Sequence, residues 1–260
     1  MLENKPLAVV TASTAGIGLS AAMALAKSGM HVVVSSRKAE NVSQAVALIN
    51  DAYGPDAASG IPCHVGNKAN REALVAFAAS RSAHIRALVL NAAVSTAYGP
   101  IFNISEDQWD KMFDINLKAA FFLVKDFNDM LTAGSSVTFI TSIAAYNPIP
   151  GLGAYSITKT ALLGMCKTLS VELARDGIRV NAIAPGLIQT KFSEKLWKHK
   201  DQGKGEAMES NKISKFLHIP MRRIGMPNDI GGVVAFLVSE DAAYITGETI
   251  VVAGGITSKL

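Results

Sequence analysis

The sequence lacks any apolar run near the roughly 18 residues that a membrane-crossing helix requires, so no membrane span is expected. Cysteine is scarce. Only Cys63 and Cys166 occur, too few for a disulfide framework, and they read as two buried thiols in a reducing compartment. Cys63-His64 has no further closely spaced ligands, so no metal site is expected. Charge of one sign is not concentrated either: the net charge is +4, with Lys and Arg scattered along 260 residues. That argues against nucleic acid as a partner. The opening Met1-Leu2-Glu3-Asn4-Lys5-Pro6 offers neither a cleavable apolar region nor an Arg/Ser-rich amphipathic stretch. No internal repeat, low-complexity tract or strong linker divides the chain, which reads as one domain.

What the sequence does have is a regular alternation. Leu7–Val10, His31–Ser35, Gly60–Val65, Ala87–Leu90, Ser136–Ile140, Ile178–Ile183 and Thr249–Val252 read as apolar strands. Between them, helical patterns run over Leu19–Lys27, Asn41–Asn50, Arg71–Arg81, Trp109–Leu131, Ala154–Leu173 and Asp229–Leu237. Seven apolar strands separated by helices predict an α/β fold, a doubly wound, seven-stranded parallel sheet of Rossmann type. Residues 191–217 break the alternation with mixed charge and scattered aromatics and read as a substrate lid. The last three residues, Ser258-Lys259-Leu260, form a tripeptide read by the peroxisomal import receptor, so a peroxisomal location is expected.

The turn after the first strand is Thr11-Ala12-Ser13-Thr14-Ala15-Gly16-Ile17-Gly18. Small residues there let the backbone approach a pyrophosphate, and the following helix offers its unpaired N–H groups. Thr11, Ser13, Gly16, Ile17 and Gly18 are therefore candidate dinucleotide contacts. Ala12 adds only a methyl and can occupy negative φ, which limits the turn without excluding a dinucleotide. An NAD site places an acid after the second strand, whereas this chain has Ser36, Arg37 and Lys38, with no acid before Glu40. A guanidinium, an ammonium and a hydroxyl suit a 2′-phosphate, so NADP(H) is the expected cofactor.

Tyr155 and Lys159 are four residues apart, on one face of a helix. A neighbouring ammonium is expected to lower the phenol's ordinary pKa of about 10 and make it a usable acid and base. Ser142, after the fifth strand, is placed to steady a substrate oxygen. Val94, Tyr98, Ile143, Tyr146, Leu187, Phe192 and Trp197 lie beside these motifs as candidate pocket lining.

Together these stretches resemble the short-chain dehydrogenase/reductase family over essentially the whole chain, residues 1–257. The resemblance implies that Asn116 completes a tetrad with Ser142, Tyr155 and Lys159, relaying protons through a water to the lysine. It implies that Lys159 also binds the nicotinamide ribose. It places Asn91, Ala92 and Ala93 at the adenosine side, His64 and Val65 beside adenine, and Pro185, Gly186, Ile188 and Thr190 around the nicotinamide. The segments Cys63–Gly66 and Tyr244–Thr249 are similar to a narrower subgroup of peroxisomal NADP-dependent retinal and carbonyl reductases. Membership implies a homotetramer acting on small carbonyl or alcohol substrates. The alternatives are a peroxisomal 3-ketoacyl-CoA or hydroxyacyl-CoA oxidoreductase and a non-catalytic NADPH-binding scaffold.

Overall fold

The computed structural model describes residues 5–194 and 219–256. The strands are β1 Leu7–Val10, β2 His31–Ser36, β3 Ala58–Pro62, β4 Ile85–Leu90, β5 Leu131–Ile140, β6 Arg179–Pro185 and β7 Thr249–Val252. They form one sheet in the order β3-β2-β1-β4-β5-β6-β7, parallel at every pairing. The helices are α1 Gly16–Lys27, α2 Ala39–Tyr53, α3 Lys68–Ala79, α4 Glu106–Phe113, α5 Ala119–Asp126, α6 Gly153–Leu173 and α7 Pro227–Val238.

Side chains alternate across a strand, and both faces of this sheet are covered. Leu7 and Val9 point into a core shared with α3, α5 and α6, including Leu74, Leu123 and Leu162. Ala8 and Val10 point the other way, against Ala21 and Leu25 of α1, Ile49 of α2 and Val234 of α7. All four β1 residues are buried, and each fully buried Val or Leu is worth about 1.5–3 kcal/mol. Burial on two faces holds a strand this short.

The expected fold is the observed one, with several element boundaries displaced. Helix Trp109–Leu131 is in fact α4, a π-helical turn at Asp114–Lys118, and α5 ending at Asp126. Leu131 already belongs to β5, whose ladder with β4 shifts register between Ile85 and Ala87. The third strand stops at Pro62 instead of Val65: it pairs with β2, which ends at Ser36, and the Cys63 N–H makes the last bond to the Ser36 carbonyl (2.8 Å). The first helix begins at Gly16, three residues before its apolar pattern starts. Most of the expected lid, residues 195–217, and the 258–260 tripeptide lie outside the described residues.

Candidate active site

The strand order reverses at β1, which has β2 on one side and β4 on the other. Crossovers leaving such a point go to opposite faces and open a crevice at the carboxyl ends of the strands. The turn Thr11–Ala15 lies at this crevice. Thr11 and Ser13 are fully buried. The Thr11 hydroxyl donates to the Val89 carbonyl (3.3 Å) and accepts from the N–H groups of Asn91 (3.0 Å) and Ala92 (3.2 Å). The Ser13 hydroxyl donates to the Val10 carbonyl (2.6 Å) and accepts from the Ser35 N–H (3.0 Å). These side chains fix the shape of the turn from beneath it.

Asn91 closes the turn by donating its amide to the carbonyls of Thr11 and Ala12, both at 3.1 Å. The Ala12 backbone has φ +50°, not the negative φ that alanine can occupy. The geometry that glycine would supply freely is imposed here on an L-residue by the bonds around it. Gly18 is needed for close approach. A Cβ there would stand 2.4 Å from the Ala12 carbonyl oxygen and 2.5 Å from the Asn91 amide nitrogen.

The start of α1 suits an anion. Ala15 before it is extended and offers no side-chain acceptor, and the first turn holds no acid. The N–H groups at this end, Gly16, Ile17 and Gly18, are left for a phosphate. A Cβ on Gly16 (φ +56°) would lie 3.1 Å from the Thr190 methyl, so Thr190 stands over the helix start. Pro185 ends β6, Gly186 follows it against Ala253, and buried Ile188 pairs with Gly225. Ser36 is half-buried, while Arg37 and Lys38 are exposed. Among the described residues neither cation joins an ion pair. Ala92 and Ala93 are half-buried, Val65 is buried, and His64 is exposed, its backbone N–H donating to Asn70 Oδ1 (3.0 Å). The crevice thus fits a dinucleotide phosphate at α1, with unpaired cations beyond β2.

Across the crevice, α6 carries Tyr155 and Lys159, both buried. The Ser142 hydroxyl lies beside the tyrosine phenol, close enough to favour its ionised form, and accepts from the Ala144 N–H (3.1 Å). Lys159 Nζ lies 5.6 Å from the Tyr155 ring centroid and donates to the Ile140 carbonyl at 2.8 Å. Asn116 sits in the π turn. Its Oδ1 accepts from the Val94 N–H (2.7 Å), and its Nδ2 donates to the Val94 carbonyl (2.9 Å). The four tetrad residues are therefore brought to one place by α6, the π turn and the loop after β5.

Electrostatics differs from the sequence expectation. Burial pushes the Tyr155 phenol well above its ordinary value, with the Ser142 hydroxyl acting in the opposite direction. Burial also pushes Lys159 down to about 7. Desolvation is the leading cause for both groups, and it favours the neutral form of each, against the lowered phenol expected from the lysine's proximity. Phe192 packs on the tyrosine, ring centroids 5.8 Å apart, and Val94 joins the same apolar cluster. Tyr98 is exposed on the rim, Ile143 and Tyr146 are half-buried beside Ser142, and Leu187 packs instead with Ile219 and Ile224. Trp197 lies outside the described residues.

The chain is similar to known proteins along its length. A family model described as enoyl-(acyl carrier protein) reductase matches residues 11–257. A rabbit (Oryctolagus cuniculus) protein, dehydrogenase/reductase SDR family member 4, is 49% identical, covering 100% of this chain and 96% of that one. The chain belongs to the short-chain dehydrogenase/reductase family. The human member of the same name is 48% identical, with 100% of this chain and 90% of that protein covered. Among solved structures, a short-chain glucose/ribitol dehydrogenase from Brucella melitensis superposes with a TM-score of 0.88 at 30% identity, over 98% and 97% of the two chains. A 3-ketoacyl-(acyl-carrier-protein) reductase from the same organism, complexed with NADH, gives 0.84 at 25% over 98% and 99%. An actinorhodin polyketide ketoreductase with NADPH gives 0.86 at 27% over 97% of each chain. The chain is thus an oxidoreductase of the short-chain dehydrogenase/reductase family.

Two residues that touch this short-chain dehydrogenase/reductase site have no place in the sequence reading. Thr141 donates its hydroxyl to the Lys159 carbonyl (2.9 Å), and Thr158 donates to the Tyr155 carbonyl (2.7 Å). Their signal was adjacency alone, one residue before Ser142 and one before Lys159.

Proposed function

We propose that this chain is an NADPH-dependent reductase of ketones, aldehydes or α-dicarbonyl compounds, with retinal among the candidate substrates and Tyr155 as proton donor. The observation that carries this reading is the buried Tyr155, beside Ser142 and packed against Phe192. Burial keeps the proton on the phenol at neutral pH, the form a donor to a nascent alkoxide must have. Ser142 holds the substrate oxygen beside that phenol, and apolar cover excludes water. Lys159, poised near neutrality, accepts and returns protons at Nζ and would hold the nicotinamide ribose. Asn116 anchors the π turn through which protons reach the lysine. The nicotinamide, when bound, supplies the hydride.

NADPH preference is supported by Ser36, Arg37 and Lys38, two free cations and a hydroxyl where an NAD site would place an acid. A charge-assisted contact is worth about 1.5–3 kcal/mol, so Arg37→Asp is expected to lower kcat/KM for NADPH by about 10–100-fold. The NADH value should change by less than about threefold, since only the phosphate contact is lost. Equal losses with both cofactors would remove Arg37 from the phosphate site. The same assay with 3-ketoacyl-CoA in place of free carbonyls separates the acyl alternative.

We further propose a homotetramer, supported by exposed apolar Phe121, Ile157 and Val171 on α5 and α6 and by the open edge of β7. Import to peroxisomes through Ser258-Lys259-Leu260 is part of the same reading.

A further inference from the structure

Thr158 is fully buried between the π turn and the first turns of α6. Its single hydroxyl proton goes to the Tyr155 carbonyl at 2.7 Å, so the oxygen can only accept from Asn116 Nδ2 at 3.1 Å. Asn116 is oriented in turn by the Val94 backbone, whose N–H donates to Oδ1 (2.7 Å) and whose carbonyl accepts from Nδ2 (2.9 Å). The chain of donors therefore has one direction: from Asn116 to Thr158 to the backbone of Tyr155.

From this geometry we propose that Thr158 is a positioning residue for the reaction, holding the Tyr155 turn at the angle at which its phenol meets Ser142. Two features support a role beyond packing. The hydroxyl bonds three residues back and shares the Tyr155 carbonyl with the backbone of the helix, so it acts on the residue that carries the phenol. And the hydroxyl links α6 to the Asn116 amide, so removing it leaves an Asn116 donor buried without its partner. Thr158 bonds to Asn116 and to the backbone carbonyl of Tyr155, so it acts through those residues. The inference rests on the reductase reading of the site.

The test compares Thr158→Val, which keeps the shape and loses the hydroxyl, with Thr158→Ser, which keeps the hydroxyl. In carbonyl reduction by full-length protein, Thr158→Val is expected to lower kcat about 10–100-fold, with KM and the NADPH dissociation constant within about twofold. Thr158→Ser should stay within about threefold of wild type. An unchanged kcat in Thr158→Val, or an equal loss in both variants, overturns the proposal. If Thr158→Val does not fold, Thr158→Ala takes its place, with the same serine comparison. Absence of turnover in wild type would overturn the reductase reading instead. The positioning claim is then read from crystal structures: an unmoved Tyr155–Ser142 pair in Thr158→Val overturns it, and a separated pair supports it.

Discussion

At the scale of single residues, desolvation governs the site. Tyr155 retains its proton because burial penalises phenolate, and Lys159 is drawn down to about 7 because burial penalises ammonium. Neither effect can be read from a Tyr-x-x-x-Lys spacing, which gives adjacency but not dielectric. Ala12 makes a second case at this scale. A left-handed L-residue costs about 1–2 kcal/mol, whereas glycine at an interior position costs about 0.5–1 through backbone entropy. Ala12→Gly should therefore stabilise the protein by up to about 1 kcal/mol in urea unfolding. A loss of similar size would mean that the φ of +50° is not strained.

At the scale of elements, the turn between β1 and α1 is one unit with the loop after β4. Thr11, Asn91 and Gly18 interlock, and a methyl at position 18 would meet both the Ala12 carbonyl and the Asn91 amide. Gly18→Ala is expected to weaken NADPH binding by at least about tenfold in a fluorescence titration, because the clash is with backbone and cannot be relieved by a rotamer. Binding within twofold of wild type would contradict the interlock. Elements were legible where burial pattern alone defines them: β7 falls where its apolar run lies, and β1 likewise. They were not legible where geometry depends on partners. The π turn that delivers Asn116 has no periodicity of its own, and Asp114–Lys118 reads as ordinary helix. Asn91 and Thr158 are polar residues whose partners lie far along the chain, so no local pattern marks them.

At the scale of the whole molecule, the two ends of the sheet do different work. The carboxyl ends hold the site, and the amino ends are closed by polar contacts around His31. This ring is buried, with Nδ1 2.9 Å from the Asp56 carbonyl and Nε2 2.7 Å from the Ser59 hydroxyl, which Arg81 also engages. Burial lowers its pKa below the ordinary value, the Asp56 carbonyl opposes that, and the Arg81 and Lys5 charges add to it. The unfolded chain therefore binds a proton that the folded chain resists. Stability from neutral His31 is complete above about pH 6.5 and is lost as pH falls through the lower folded value. Unfolding free energy measured from pH 7.5 to 5 should fall more steeply in wild type than in His31→Asn; parallel curves would exclude this source of acid sensitivity.

Within that frame the proposed function assigns the role of proton donor to one residue, Tyr155. The central claim is tested most directly by kcat/KM for NADPH-dependent reduction of an aromatic ketone in wild type and Tyr155→Phe. Loss of a general acid predicts a fall of about 10²–10⁴-fold with NADPH affinity unchanged. Turnover by Tyr155→Phe within a few-fold of wild type would contradict the account.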